Sequence, residues 1–374
     1  MADPDRSPKF KYQHIYRELK SLVEGGTYEA GEQLPTELEL AERFGASRPT
    51  VTRALNALRE DGLITRRSGA GSFVEASGAA YRQESRLFGL LIPGLGQGEI
   101  FEPICAQIAA RAEENDFSLL WSGSGIRTEE AARVLVDVTQ RYIDNRVAGV
   151  FFEPLELSPR FAEINQVLVG MLERAGIPVV LIDSDYLPFP EMSRYDLVGI
   201  DNFRAGYLVA QHYLHRGIQR VDFLARPYSA ATVSLRVEGY RSALVDYGVA
   251  PHPEWVHFFN PEDRFTLRNE VLSSGAQHLI CGNDETAAAL MGELDEIGVS
   301  VPKDLRIVGF DDIRYASMLK TPLTTLHQPA TEIGELALET MLWRLENPER
   351  PPRTVTAATA IIQRASCGAG FSDR

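Results

Sequence analysis

The chain has 374 residues, 44% hydrophobic and 24% charged, a composition that excludes a disordered or fibrous protein and suits two or three folded domains. No run approaches 18 apolar residues and MADPDRSPKFKYQ lacks an apolar secretory core, so no membrane span or export signal is expected and the cytoplasm is the expected location. The net charge of −14 opposes phosphate binding by the chain as a whole, yet residues 1–76 hold 11 basic and 12 acidic side chains against 27 and 40 in the remainder.

In KYQHIYRELKSLVEGG, Tyr12, Ile15, Tyr16, Leu19, Leu22 and Val23 recur at helical spacing, and Gly25-Gly26 reads as the stop. Turn residues YEAGEQLP follow. Thr36-Glu37-Leu38-Glu39 has the form of a capping box, so a second helix starts there with Leu40, Ala41 and Phe44 inward. Gly45 breaks it. Ser47 stands where it can cap a third helix that buries Val51, Ala54, Leu55 and Leu58 and exposes Arg48, Thr50, Thr52 and Arg53 near its start. Two helices joined by a tight glycine turn form a helix-turn-helix, whose second helix enters the major groove amino end first. Arg can bond guanine bidentately and hydroxyls can serve phosphates or base edges. Six arginines between residues 43 and 67 face only Glu60 and Asp61. Leu63–Arg67 and Ser72–Val74 then read as two strands around Ser68-Gly69-Ala70-Gly71, a hairpin that would act as a wing.

The run LPTELELAERFGASRPTVTRALNALREDGLITRRSGAGSFV resembles the winged helix-turn-helix of the GntR family. By that resemblance Ser47, Arg48, Thr50, Ser68 and Gly69 fall on DNA-contacting positions, and Lys11 meets phosphate at the start of the first helix. Thr52 and Arg53 complete the candidate DNA-binding set. Leu38 and Thr52 stand where many members carry arginine, so the operator sequence does not transfer from relatives.

EASGAAYRQESR, small and polar without periodicity, reads as a linker, with a domain boundary near residue 80. The expected division is 1–76 for the head, 77–86 for the linker and 87–368 for the body. Beyond it, apolar runs alternate with helical patterns: FGLLIP, EPICAQIAARAEEND, SLLWSG, AARVLVDVTQRYID, GVFFEP, VLVGMLERAG and IPVVLID. The alternation resumes with LVGID and continues through AGYLVAQHYLHRG, RVDFLAR, SLRVEGYRSALVDYG, HLICGND, TAAALMGELDEIG and LRIVGFDD. This predicts an α/β body of two parallel sheets. Ligands of such sheets sit beyond the carboxyl ends of the strands. There stand Glu153, Asp183, Asn283, Asp284, Asp311 and Asp312, with Arg236 before a helix. Each strand-end residue also fits a helix cap or turn. Together they suit a ligand with several hydroxyls.

Residues 87 to 366 resemble the sensor of the lactose-repressor family, which shares the fold of periplasmic sugar-binding proteins. VVLIDSD, SLRVEGY, ICGNDETAAALM and IVGFDDIRYASMLKTPLTTLHQP carry the likeness. It implies that Asp183, Arg236, Asn283, Asp311 and Gln328 contact the effector. Phe101, Glu153, Trp255 and Phe259 are looser candidates, the aromatics also fitting core packing. A GntR-type head on this body is the arrangement of arabinose-type repressors. The match is one of architecture and leaves the effector open; the expected working mode is a homodimer on double-stranded operator DNA, released by a small sugar, with no membrane partner. A nucleoside or purine acting as corepressor is the alternative effector.

Two rivals remain: a transport-associated binding protein, against which the head and the absent export signal count, and an enzyme, because some GntR-type heads precede domains that use pyridoxal phosphate. The chain has no GxSxG, HExxH or P-loop, and its body lysines Lys303 and Lys320 fall in loops. Cys105, Cys281 and Cys367 lie outside any CxxC or Cys/His spacing, and the histidines lack metal spacing. No cofactor, metal or catalytic residue is therefore expected.

Overall fold

The computed structural model describes residues 8–24, 27–28, 31–60, 63–67, 71–74, 85–93, 95, 100–121 and 129–368, in two units, Met1–Arg86 and Leu87–Arg374. Gly25-Gly26 and most of the expected linker lie outside the described residues.

In the first unit, α1 (Pro8–Glu24), α2 (Glu37–Phe44) and α3 (Arg48–Glu60) pack around Ile15, Leu19, Leu40, Val51, Ala54, Leu55 and Leu58, all essentially inaccessible to solvent. Each buried Ile, Leu or Val among them contributes about 1.5–3 kcal/mol, which holds helices this short in place. The capping box forms in both directions. The Thr36 amide donates to Glu39 Oε2 at 2.7 Å, and the Glu39 amide donates to Thr36 Oγ1 at 3.3 Å. Gly45 closes α2 at φ 54°, a left-handed turn that costs other residues about 1 kcal/mol or more. Ala41 and Phe44, expected inward, are half-buried beside the fully buried Leu40.

Strands β1 (Ile64–Arg67) and β2 (Gly71–Val74) pair antiparallel, Ile64 opposite Val74 and Arg67 opposite Gly71. The segment read as a simple turn does more than connect. The Gly31 amide donates to the Val74 carbonyl and the Leu34 amide to the Ser72 carbonyl, both at 2.8 Å, so residues 31–34 cover the outer edge of β2.

The second unit contains two six-stranded sheets. The first has the order β4 (Ser118–Trp121), β3 (Leu87–Leu91), β5 (Gly149–Phe152), β6 (Val179–Ile182), β7 (Asp196–Ile200), β13 (Thr354–Ala357), and every pairing is parallel. The second runs β9 (Val256–Phe258), β8 (Asp222–Ala225), β10 (His278–Cys281), β11 (Arg306–Asp311), β12 (Thr324–His327), β14 (Ala360–Ile362). Here β14 lies antiparallel to β12, a departure from the two purely parallel sheets expected. GVFF and VVLI are buried at every position, as continuous apolar runs in parallel sheets must be.

Connecting helices are α4 (Phe101–Glu114), α5 (Glu129–Asp144), α6 (Phe161–Arg174), α7 (Asn202–Leu214), α8 (Ala231–Asp246), α9 (Arg264–Thr266, continuing as the π-helical Leu267–Leu272), α10 (Asp284–Glu296) and α11 (Ala330–Glu346). The chain passes between the sheets three times. It crosses from β7 into α7, from β12 into α11, and from β13 to β14. Helices α7 and α8 meet backbone to backbone. A Cβ at Gly206 would overlap the Arg236 carbonyl, and one at Gly239 would overlap that of Phe203.

β9, β12, α11, β13 and β14 were not anticipated from the sequence. TTLH looks polar, yet Thr324 and Thr325 are fully buried. The Thr325 hydroxyl donates to Asp284 at 2.7 Å, and the Thr324 hydroxyl accepts from the Arg364 amide at 2.9 Å. Strand β13 is short and mostly exposed at an edge, where the apolar signal is weakest.

Candidate nucleic-acid interface and ligand cleft

On the head, Ser47, Arg48 and Arg53 are exposed, and Thr50 and Thr52 are half-buried. Pro49 opens α3, where its missing N–H leaves no helical bond unmade. The Ser47 carbonyl accepts from the Thr50 and Val51 amides, while its hydroxyl pairs with that of Thr50 at 2.8 Å. These two hydroxyls form one polar edge beside Arg48. Thr52 is placed differently. Its hydroxyl donates to the Arg48 carbonyl at 2.9 Å, inside the helix. Arg53 lies over the Tyr12 ring, 4.3 Å from its centroid, so α1 orients this guanidinium. Arg66 reaches back from β1 to Asn56 at 3.1 Å and pairs with Glu37, joining hairpin, α3 and α2. Ser68, Gly69 and the Lys11 side chain lie outside the described residues.

In the body, a cleft of about 280 Å³ opens where the two sheets face each other. Its centre is Arg236, 2% exposed, on α8. Nε donates to Asn202 Oδ1 at 2.8 Å, Nη1 donates to the Gly282 carbonyl at 2.7 Å, and Nη2 stands 3.4 Å from Asp311 Oδ1. The guanidinium also lies over the Phe310 ring at 4.6 Å. Gln328 Nε2 donates to the same Asp311 oxygen at 2.7 Å. Asp183 and Asp311 hold left-handed backbones, φ 68° and 108°, which non-glycine residues adopt at a cost of about 1–3 kcal/mol. Both stand at the carboxyl ends of strands, Asp183 just after β6 and Asp311 as the last residue of β11.

Burial raises the Asp183 carboxyl above its ordinary range, with Arg236 and Gln328 opposing. Burial likewise pushes Asp311 up to about 6, opposed by Arg236 and reinforced by Asp183. Asp183 Oδ1 and Gln328 Oε1 are buried acceptors with no donor on them among the described residues. Buried acceptors in that condition cost about 1–3 kcal/mol each until a donor arrives.

Seven of the nine residues expected at the ligand line this cleft: Phe101, Glu153, Asp183, Arg236, Asn283, Asp311 and Gln328. Asn283 also has the second role foreseen for a strand-end residue, its Oδ1 capping α10 by accepting from the Thr286 amide at 2.9 Å. Trp255 and Phe259 correct the expectation. Phe259 is buried in the core around Leu267 and Leu279, and Trp255 stacks against His252 at 4.4 Å beside Arg220. Neither lines the cleft. Asp284 and Asp312 face elsewhere too. Asp284 holds Thr325 and the Ile313 amide, and Asp312 holds Arg364 at 2.6 Å and His327 at 3.0 Å.

Sequence reasoning missed Asn202, Glu156, Ser184, Arg226, Ser229 and Tyr315. Asn202 follows LVGID directly and could have been found as a strand-end amide like Asn283. Glu156 belongs to a loop without periodicity. It accepts from the Ala230 amide at 2.7 Å, and the neighbouring Leu157 amide donates to the Tyr228 carbonyl at 2.6 Å, so the two lobes touch at the cleft mouth. Among the described residues no His, Cys, Asp or Glu group is arranged to hold a metal, and no helix is long and apolar enough to cross a membrane.

Comparison with known proteins agrees with both halves. Residues 11–74 match the model for bacterial regulatory proteins of the gntR family, and residues 210–367 match that for a periplasmic binding protein-like domain. The arabinose metabolism transcriptional repressor of Geobacillus stearothermophilus is 27% identical over 362 residues, 95% of each chain. A transcriptional regulator CelR–cellobiose complex superposes with a TM-score of 0.64 at 20% identity, covering 89% of this chain and 100% of that one. A LacI family regulator from Enterococcus faecium with bound ribose gives 0.58 at 26% identity, covering 75% and 98%.

Proposed function

We propose that this chain, a GntR-family DNA-binding head joined to a periplasmic-binding-protein-like body, is a transcriptional repressor that a small sugar releases from operator DNA. The observation that carries the effector half is the pair of buried acceptors, Asp183 Oδ1 and Gln328 Oε1, beside the fixed donors of Arg236. A ligand satisfying both acceptors must donate from neighbouring atoms, which adjacent hydroxyls do. The arabinose and ribose named for two relatives support the same class.

Coupling follows from position. Asn202, which orients Arg236, opens the first crossing between sheets, and Gln328, which holds Asp311, precedes the second. A ligand bound there draws on groups of both lobes and favours the closed arrangement by its differential affinity alone. In a homodimer that presents two heads to half-sites about 34–36 Å apart, a change in lobe closure alters that spacing. A coupling of about 1–3 kcal/mol changes operator affinity roughly 5–150-fold. The DNA contacts in this reading are Ser47, Arg48, Thr50 and Arg53 on α3, with Ser68 and Gly69 of the wing and Lys11 at phosphate. Binding alone does this work, so the reading needs no catalytic step, and it operates in the cytoplasm where the DNA is.

Selection of random duplexes with the full-length protein should enrich a two-fold symmetric sequence, and one sugar of a pentose and hexose panel should lower affinity for it. Failure to enrich any duplex defeats the DNA reading. Tighter binding with sugar makes the effector a corepressor instead.

A further inference from the structure

A second cavity, about 310 Å³, adjoins the cleft and shares Pro154, Glu156, Ser184, Ser229 and Ala230 with it. The boundary between the two is the Glu156–Ala230 hydrogen bond at the cleft mouth. Each volume lies near the lower end of the roughly 300–1,000 Å³ of small-molecule sites. The two compartments differ in chemistry. The first presents unsatisfied acceptors and a guanidinium.

In the second, Asn165, Ser184, Ser229 and Asp185 are already engaged with the protein. Asn165 holds both the amide and the carbonyl of Leu155, at 2.9 and 3.0 Å. Ser184 donates to the Asp185 carbonyl at 2.9 Å, and Ser229 donates to that of Arg226 at 2.8 Å. Both Asp185 oxygens accept backbone amides, from Leu187 and Ser193. What remains facing the space is apolar or aromatic: Pro159, Leu187, Pro188 and the rings of Tyr186 and Tyr228. Tyr228 is 62% exposed at φ 59°, an aromatic held outward by a left-handed backbone.

We infer that the effector is a glycoside with an apolar ring aglycone, the sugar between Asp183, Arg236 and Gln328 and the aglycone in the second cavity against Tyr228 and Tyr186. This rests on the sugar-sensing reading above. The serine, asparagine and aspartate groups bonded within the protein offer a second sugar few fresh partners, whereas proline, leucine and tyrosine faces receive an aromatic ring at little desolvation cost. A bulky ligand at the boundary displaces Glu156 from the Ala230 amide, so Glu156 also sets which ligands span both spaces.

The test is calorimetric titration of the full-length protein with arabinose, ribose, xylose, glucose and galactose, with the 4-nitrophenyl glycoside of each, and with cellobiose and xylobiose. The expected result is one sugar whose 4-nitrophenyl glycoside binds at least about tenfold tighter than the free sugar. Ala162→Trp, at an exposed position lining only the second cavity, should remove that gain and leave the free sugar's affinity within about twofold. Tyr228→Asn, which tolerates the left-handed backbone, should reduce it in part. A glycoside no tighter than its sugar overturns the inference, as does a gain that survives Ala162→Trp, or a disaccharide that outbinds the aryl glycoside. In those cases the sugar-sensing reading stands. Silence from every sugar and glycoside, with the protein folded, defeats both.

Discussion

Asn202 and Arg236 are joined by a 2.8 Å bond from Nε to Oδ1, between the first residue of α7 and the inner face of α8. Both side chains are buried, 4% and 2% exposed. Asn202→Leu leaves a buried guanidinium N–H without its acceptor, so the body should lose about 1–3 kcal/mol of stability and bind its effector about tenfold more weakly. Arg236→Lys should fare no better than Arg236→Ala in binding, because an ammonium cannot make three bonds in the directions of Asn202, Gly282 and Asp311. Thermal melts and titration with the effector check both statements; an Arg236→Lys protein with normal affinity would refute the second.

Acid should weaken the sensor's grip on its ligand. The Asp311 pKa of about 6 lies above the ordinary 3.8, so the native state holds a proton that the unfolded chain has released between those values. Stability from this group is therefore fully present below about 3.8 and lost as pH rises through 6. Binding moves oppositely. A hydroxyl donates to the ionised carboxylate, so affinity should fall about tenfold per pH unit below 6 and level off above 7. Titrations from pH 5 to 8 should show this in the wild type and a shallower profile in Asp311→Asn.

On the head, Arg48 and Thr52 separate by geometry. Arg48→Ala should cost the operator complex about 1–3 kcal/mol, measured by fluorescence anisotropy. Thr52→Val should change operator affinity by less than about threefold, because the hydroxyl is engaged with the Arg48 carbonyl. A large loss in Thr52→Val would show that this hydroxyl turns outward on DNA.

Gly239→Ala should destabilise the body by about 1–3 kcal/mol by forcing α7 from α8, since the added carbon collides with backbone that cannot yield as a side chain does. The head should melt unchanged in calorimetry.

The head was readable almost residue by residue. Its signals are local: a capping box, a glycine stop and a helical stripe, each deciding structure within a few positions. The inner strands of the body were readable for a related reason, because GVFF and VVLI are buried on both faces and nothing else reads so uniformly. Asp183, Arg236, Asp311 and Gln328 were found together through resemblance and strand-end position. What the sequence hid depends on distant partners. Thr324 and Thr325 look like loop residues until Asp284 and Arg364 receive their hydroxyls. Glu156 acquires meaning only when α8 arrives from another lobe. Trp255 and Phe259 misled because an aromatic near a sheet edge looks alike whether it stacks on a ligand or fills a core.

The three passages between the sheets also order events in time. Neither lobe is a continuous stretch of chain: the first sheet takes its last strand from Thr354–Ala357 and the second from Ala360–Ile362. A ribosome must therefore synthesise through Ala357 before the first lobe, and through Ile362 before the second, can be completed, whereas the last strand of the head ends at Val74. During translation the newborn protein is a folded head without the body that, in the proposed function, would control it.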